Sequence, residues 1–471
     1  MVKTKIEAKN VDVQKQKNAK LGRVQGGEGS LGGSSPLPPP PLLQNQLVPG
    51  SSEYPALVQM ASQVIEAVED AMVTAWGNPG SQHEEGARAR TVISQGRLEV
   101  ARMIGAQPND IIFTSGGTES NNMVLHCAVT HFRKWCMTQD SPIYHHLRPH
   151  VITTKVEHDA IKLPLHHRYQ IDTDVTYLGV ENLPEAVLES IRPSTCLITV
   201  MLANNETGIM FSVAHIGRLL AEVNKKRENE GLFKVLLHTD AAQAIGKVPV
   251  DVTDLNVDYL TVVGHKFHGP YIGALYIRSL GIKTPVYPMF YGGGQEQAYR
   301  PGTENTPMIA GLGQASLLVY NNIHDYHASM KKTRNYMERL LKKFFGNQVK
   351  INCVDPCNAS NPEACSVPPR GPKQQHFIFP RLPNTSSVSF YYKQVSGQEI
   401  LRYCKIVQSS TGATCHTHTE SQSILEASGV CSFHAARTIR LSIGRDTAME
   451  EIDFAIQDIK QSIEKIIGRS V

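Results

Sequence analysis

The apolar positions change their period along the chain, and each change marks an element. From Tyr54 to Trp76, Leu57, Met60, Ala61, Val64, Ile65, Val68 and Met72 recur at helical spacing, which predicts one amphipathic helix. The turn WGNPGS ends it, and a second helix is predicted from Arg88 to Ile104. The pattern then shortens. DIIFTSGGTESNN, HVITTKVEHDAI, TCLITVMLANNETG, FKVLLHTDAAQAIG and VDYLTVVGHKFHGP each open with a short β-rich run that gives way to polar or glycine residues. In the first of these, Thr118 and Glu119 mark the start of a helix. GALYIR reads as a hairpin partner of the fifth run. Strands alternating with helical segments predict an α/β fold built on a doubly wound, mostly parallel sheet.

From about Thr306 the character becomes helical for a long stretch, through TPMIAGLGQASLLVYNNIHDYHASMKKTRNYMERLLKKFF. NTSSVSFYYK then reads as a strand, QEILRYCKI as a short helix, and RTIRLSIGR leads into a final amphipathic helix. The predicted organisation is a large domain over 53–310 and a smaller α+β domain over 311–471, with an irregular insertion at 351–380 rich in Pro, Asn and Cys. Residues 1–52 run into GGEGSLGGSSPLPPPPL, too poor in apolar surface to offset the entropy of ordering, and are predicted to be a disordered tail.

Composition narrows the function. A chain of 471 residues, 41% hydrophobic and 19% charged, can build two domains with substantial cores. Its net charge of +4, without a basic and aromatic stripe, gives no argument for nucleic acid. No apolar run reaches the length of a membrane span. Nine scattered cysteines are an odd number and too sparse for a disulfide scaffold, which points to a reducing compartment. The opening MVKTKIEAKNVDVQKQKNAK lacks an apolar signal core, so a cytosolic, cytoplasmic location is expected. Neither Cys353, Cys357 and Cys365 nor Cys415 with His416 and His418 has the spacing of a zinc site, and no metal is expected.

Ligands of parallel α/β sheets gather beyond the carboxyl ends of the strands. Thr118, His158, the run Asn204, Asn205 and Glu206, Asp240 with Gln243, and Lys266 all fall there. Singly each has a plain use: a hydroxyl caps a helix, a histidine packs in a core, a lysine is a solvated charge. Together they match the needs of pyridoxal 5'-phosphate. A partly desolvated Lys266 can form a Schiff base, and Asp240 can hold a pyridine nitrogen protonated. SGGTES presents backbone amides and the Thr118 hydroxyl at a helix amino terminus, where a dianion is favoured.

The runs SGGTESNN, EHDAI, MLANNETGI, HTDAAQAIGK, VGHKFHGP, GGGQEQAYRPGTENTPMIAGLG and IRLSIGR resemble the cysteine desulfurase and selenocysteine lyase family of pyridoxal phosphate enzymes, over residues 64–471. The resemblance implies a fold type I enzyme of the class V aminotransferase kind that releases alanine from an amino acid substrate. It places Lys266 as the lysine bonded to the cofactor, Asp240 as the pyridinium partner and His158 as the imidazole stacked on the ring. Asn205 and Gln243 would lie at the ring's phenolic oxygen, and Gly117, Thr118 and His265 at the phosphate. Thr303 would reach the phosphate of the partner subunit's cofactor, which implies a homodimer. Arg440 would grip the substrate carboxylate. Cys415 would stand near the departing selenium as acid or as transient acceptor, and a selenium acceptor protein is an implied partner. Two departures stand out. SSEYPALVQ replaces the family's usual opening strand, and Val263 stands where many members have a serine or threonine. Three functions are therefore in play: a selenocysteine-directed lyase, a cysteine desulfurase supplying sulfur for cluster assembly, and a catalytically silent cofactor-binding relative.

Overall fold

The computed structural model describes residues 60–353, 380–392, 394–409 and 424–468. The expected tail, the stretch SSEYPALVQ, Cys415 and residues 354–379 of the expected insertion lie outside them. Seven described strands, β1 (Ile111–Thr114), β2 (His150–Thr154), β3 (Asp174–Leu178), β4 (Thr195–Thr199), β5 (Leu236–Asp240), β6 (Tyr259–Val263) and β7 (Gly273–Ile277), form one sheet in the order β1-β7-β6-β5-β4-β2-β3. β7 runs antiparallel to β1 and β6, while β2 to β6 pair in parallel. The hairpin expected for GALYIR is the β6–β7 pair.

Successive strand residues feed two separate cores. Ile111, Phe113, Leu237, Leu260, Val262 and Ala274 belong to one; Ile112, Leu236, Tyr259, Leu275 and Ile277 belong to the other. A sheet covered on both faces has no solvent side, which is why these strands read as near-continuous apolar runs. β3 escapes the sequence pattern for the complementary reason. It pairs with β2 alone, as an edge, and its DVTYL is only partly buried.

Helices α1 (Ser62–Thr74), α2 (Glu84–Met103), α3 (Gly117–Met137), α4 (Asp159–His167), α5 (Leu183–Glu189) and α6 (Val213–Asn229) precede or link the strands. In α1 the buried seam is Val64, Val68 and Ala71, whereas Ile65 and Met72, apolar positions of the expected helix, are 39% and 59% exposed. Helix α7 (Thr306–Phe345) covers the long helical stretch. It places Ile309, Leu312, Ala315 and Val319 in the first core and Met337, Leu341 and Phe345 in a third. That third core closes over an antiparallel sheet, β10-β9-β8 (Thr438–Ser442, Thr385–Phe390, Val349–Ile351), with α8 (Gly397–Tyr403) and α9 (Met449–Ile467).

Helices α2 and α7 meet through glycine. A Cβ on Gly313 would lie 2.7 Å from the Gly96 Cα, and one on Gly96 would lie 2.8 Å from the Ile309 carbonyl oxygen. Backbone cannot yield as a flexible side chain can. Gly313→Val is therefore expected to destabilise by about 1–3 kcal/mol through overpacking, read as a lower urea midpoint at unchanged slope.

Buried histidines give the fold an acid-sensitive side. His150 lies between Thr195 and Thr176, at 2.8 and 2.9 Å, and His238 between Thr199 and Thr261, at 2.8 and 3.1 Å. Burial pushes His150, His238, His265 and His434 from 6.5 down to about 4. Between those two pH values the unfolded chain binds more protons than the folded one, so stability falls as pH is lowered. Glu157, pushed by burial up to about 8, acts in the opposite sense as one group against four. The urea midpoint is expected to drop between pH 6.5 and 4, and His238→Gln should make that drop shallower.

Candidate active site at the strand carboxyl ends

The site begins where β1 stops. Ser120 N makes the first intrahelical bond of α3, to Gly116 O at 3.1 Å, so the N–H groups of Gly117 and Thr118 precede the helix ladder and face outward from it. Gly117 permits a close approach, since a Cβ there would lie 2.7 Å from Val263 Cγ2. Thr118 is exposed. Glu119 secures the turn by accepting from Ser115 N at 2.6 Å and from Arg300 Nε at 2.9 Å. Burial would raise its pKa, but the hydrogen bonds from Arg300 and Ser115 outweigh that and hold it below the usual carboxylate range.

At the end of β2, His158 caps α4, its Nδ1 accepting from Ala160 N at 3.1 Å. A ring whose Nδ1 accepts is neutral, with its proton on Nε2. The preceding Glu157 is fully buried. Its Oε1 accepts from Met201 N at 2.8 Å and Thr154 Oγ at 3.0 Å, so it ties the β2 turn to the end of β4. Beyond β4, Asn204 folds the turn, its Oδ1 accepting from Glu206 N and Thr207 N, both at 2.9 Å. This presents Asn205, which is 7% exposed and whose Oδ1 is buried without a hydrogen-bond partner among the described residues.

Asp240 ends β5. Its Oδ2 accepts from Asn121 Nδ2 at 2.8 Å and its Oδ1 from Ala242 N at 3.0 Å. Gln243 is half-buried in the following turn. β6 passes into a short 3-10 turn, Gly264–Lys266, that carries His265 and Lys266, both half-buried. His265 stacks on Tyr271 with centroids 5.1 Å apart. Burial first, then the charges of Lys266 and Lys247, keep its imidazole neutral. Lys247 is 6% exposed and donates to the Lys266 carbonyl at 2.8 Å. Burial, with the charge of Lys266 added, pushes its ammonium down to about 7.

Arg440 comes from the second sheet, on β10, and is 2% exposed. Its Nη1 donates to the Asn205 carbonyl at 2.5 Å, which brings it to the end of β4. Thr303 is exposed and lines an open cleft with Met72, Trp76, Asn78 and Thr306. The structure thus groups Gly117, His158, Asn205, Asp240, Lys266 and Arg440 around the strand ends, sets Thr118 and Thr303 at the surface, and leaves Cys415 outside the described residues. Among the described residues no cluster of His, Cys, Asp or Glu could hold a metal, and no helix is long and apolar enough to cross a membrane.

Three residues hydrogen-bonded to the candidate site escape the sequence reading: Asn121, Glu157 and Lys247. All stand inside or beside the runs SGGTESNN, EHDAI and HTDAAQAIGK. The available signal was a charged or amide residue within four positions of a candidate site residue, which by itself reads as solvated surface.

The aminotransferase class-V family model matches residues 54–454. Selenocysteine lyase of Bos taurus is 44% identical over 432 residues, covering 89% of this chain and 94% of that protein. Cysteine desulfurase IscS of Dictyoglomus turgidum is 32% identical, covering 88% of this chain and 94% of its own length. A solved NifS-like protein superposes with a TM-score of 0.70 at 28% identity, covering 87% of this chain and 98% of that one. With a family model spanning most of its length, and the mostly parallel sheet and strand-end site described above, this chain belongs to the aminotransferase class-V family.

Proposed function

We propose that the chain is a pyridoxal 5'-phosphate-dependent lyase that decomposes L-selenocysteine to L-alanine and selenide. The observation that carries the substrate is the higher identity to selenocysteine lyase than to cysteine desulfurase, 44% against 32%. The residues fit the cofactor. Asn205 Oδ1 is a buried acceptor without a partner among the described residues, and the amino end of α3 offers N–H groups that precede the helix ladder. Asp240 presents a carboxylate with both oxygens accepting.

When bound, the cofactor supplies an electron sink for charge at the substrate α-carbon. Lys266 would hold it and then move the α-proton, and Asp240 would keep its ring nitrogen protonated. His158 would stack on the ring as a neutral imidazole. Asn205 and Gln243 would meet its phenolic oxygen; Gly117, Thr118 and His265 its phosphate. Thr303 would serve the partner subunit's phosphate in a homodimer. Lys247, bonded to the Lys266 carbonyl, fixes the backbone from which the Lys266 amine extends. Arg440 would take the substrate carboxylate through its fork of donors. Cys415 would protonate or accept the departing selenium. Selenocysteine exceeds alanine by one selenium atom, so selenide release needs two electrons and two protons, which a pair of thiols supplies on closing to a disulfide. The reading extends to a cytosolic enzyme that passes selenium to an acceptor protein.

Alanine release from selenocysteine and from cysteine tests this directly. Release from selenocysteine at a clearly higher rate is expected. Equal rates would favour the desulfurase, and a yellow protein that yields no alanine from either would make it a silent relative. Lys266→Ala is expected to abolish the visible absorbance of the loaded protein, whereas Cys415→Ala should keep that absorbance and lose alanine release. A lysine variant that kept the band would reject the central assignment.

A further inference from the structure

Asp240 stands at the end of a row of buried polar groups. Asn121 Nδ2 donates to Asp240 Oδ2 at 2.8 Å, and Thr261 Oγ donates to Asn121 Oδ1 at 2.7 Å. His238 Nε2 lies 3.1 Å from Thr261 Oγ, and His238 Nδ1 lies 2.8 Å from Thr199 Oγ. Thr199, His238, Thr261 and Asn121 are each 0% exposed. They come from β4, β5, β6 and α3, so the row crosses three adjacent parallel strands before it reaches the helix.

Counting donors fixes its direction. Both Asp240 oxygens accept, one from Ala242 N, so Asn121 must face the carboxylate with its nitrogen and keep its oxygen as acceptor. Thr261 has a single hydroxyl proton. It goes to Asn121, and Thr261 can then only accept from His238. The proton of the neutral ring therefore sits on Nε2, and Nδ1 accepts from the Thr199 hydroxyl. Four donors in succession point toward Asp240. Apart from Asp240 the row is uncharged, so it supports the carboxylate without pairing its charge away, and aligned bonds in a dry interior reinforce one another.

We propose that His238 is a positioning residue for Asp240: through Thr261 and Asn121 it keeps an amide donor aimed at the carboxylate, which holds Asp240 as an acceptor-only group at the end of β5. The role of Asp240 toward a pyridine nitrogen rests on the function proposed above; the direction of the row does not.

Thr261→Val removes the central hydroxyl at nearly constant shape, and Thr261→Ser keeps it. In protein loaded with pyridoxal phosphate, Thr261→Val is expected to lower kcat on the order of tenfold to a hundredfold, as loss of such supporting partners does elsewhere, and to shift the visible band, with KM unchanged. Thr261→Ser should restore both. A valine variant with the wild-type kcat and band, or a serine variant equally impaired, overturns the proposal. Neutron diffraction on wild-type crystals needs no variant to fold: deuterium on His238 Nε2, none on Nδ1, and the Asn121 amide nitrogen toward Asp240 are expected. Deuterium on Nδ1, or a reversed amide, overturns the proposal. Wild-type protein that takes up no pyridoxal phosphate would instead sink the functional reading, while the neutron map would still decide the row.

Discussion

Covering both faces of a parallel sheet leaves few places where polar chemistry can be built, and the carboxyl ends of the strands are the main one. This constraint shapes the molecule. Strand side chains feed two apolar cores, so polar groups within and near the ends of the strands must find partners within the protein. Glu157 takes the Met201 amide, Asn204 folds its own turn, and Lys247 takes the Lys266 carbonyl. Each of these bonds satisfies a buried group and, in doing so, places a neighbour that faces the site.

Charge is rationed by the same burial. His265 is held neutral, and Glu157 is pushed up to about 8, so it is largely protonated near neutral pH. Asp240 accepts from an amide and a backbone N–H. At the candidate site this leaves a carboxylate that accepts from these donors, an arrangement suited to stabilising a positive charge brought by a ligand.

The second sheet takes part through Arg440. Arg440 sits on β10 within the third core's sheet, yet its guanidinium reaches the Asn205 carbonyl. Helix α7 contributes to the first core at its start and to the third at its end, and a continuous helix is a stiff link between them. The reach of Arg440 thus depends on packing along forty residues of helix as well as on its own strand.

Period and punctuation alone disclosed five strands of the sheet, the β6–β7 hairpin, the long helix from Thr306 and the candidate residues at the strand ends, because each of these is a local pattern. Edge strand β3 stayed hidden, since a half-exposed DVTYL lacks the apolar run of its neighbours. The exposure of Ile65 and Met72 was equally hidden, because periodicity marks an apolar side of a helix without saying how wide a stripe a neighbour will cover. Asn121, Glu157, Lys247 and the row from Thr199 to Asp240 were set by tertiary structure alone. Their partners lie on different strands and helices, and only packing brings together in space what the chain keeps far apart. The sequence by itself determined which residue types could do chemistry and at which element ends they fall; the tertiary structure decided which of them share hydrogen bonds, which are stripped of water and which face solvent.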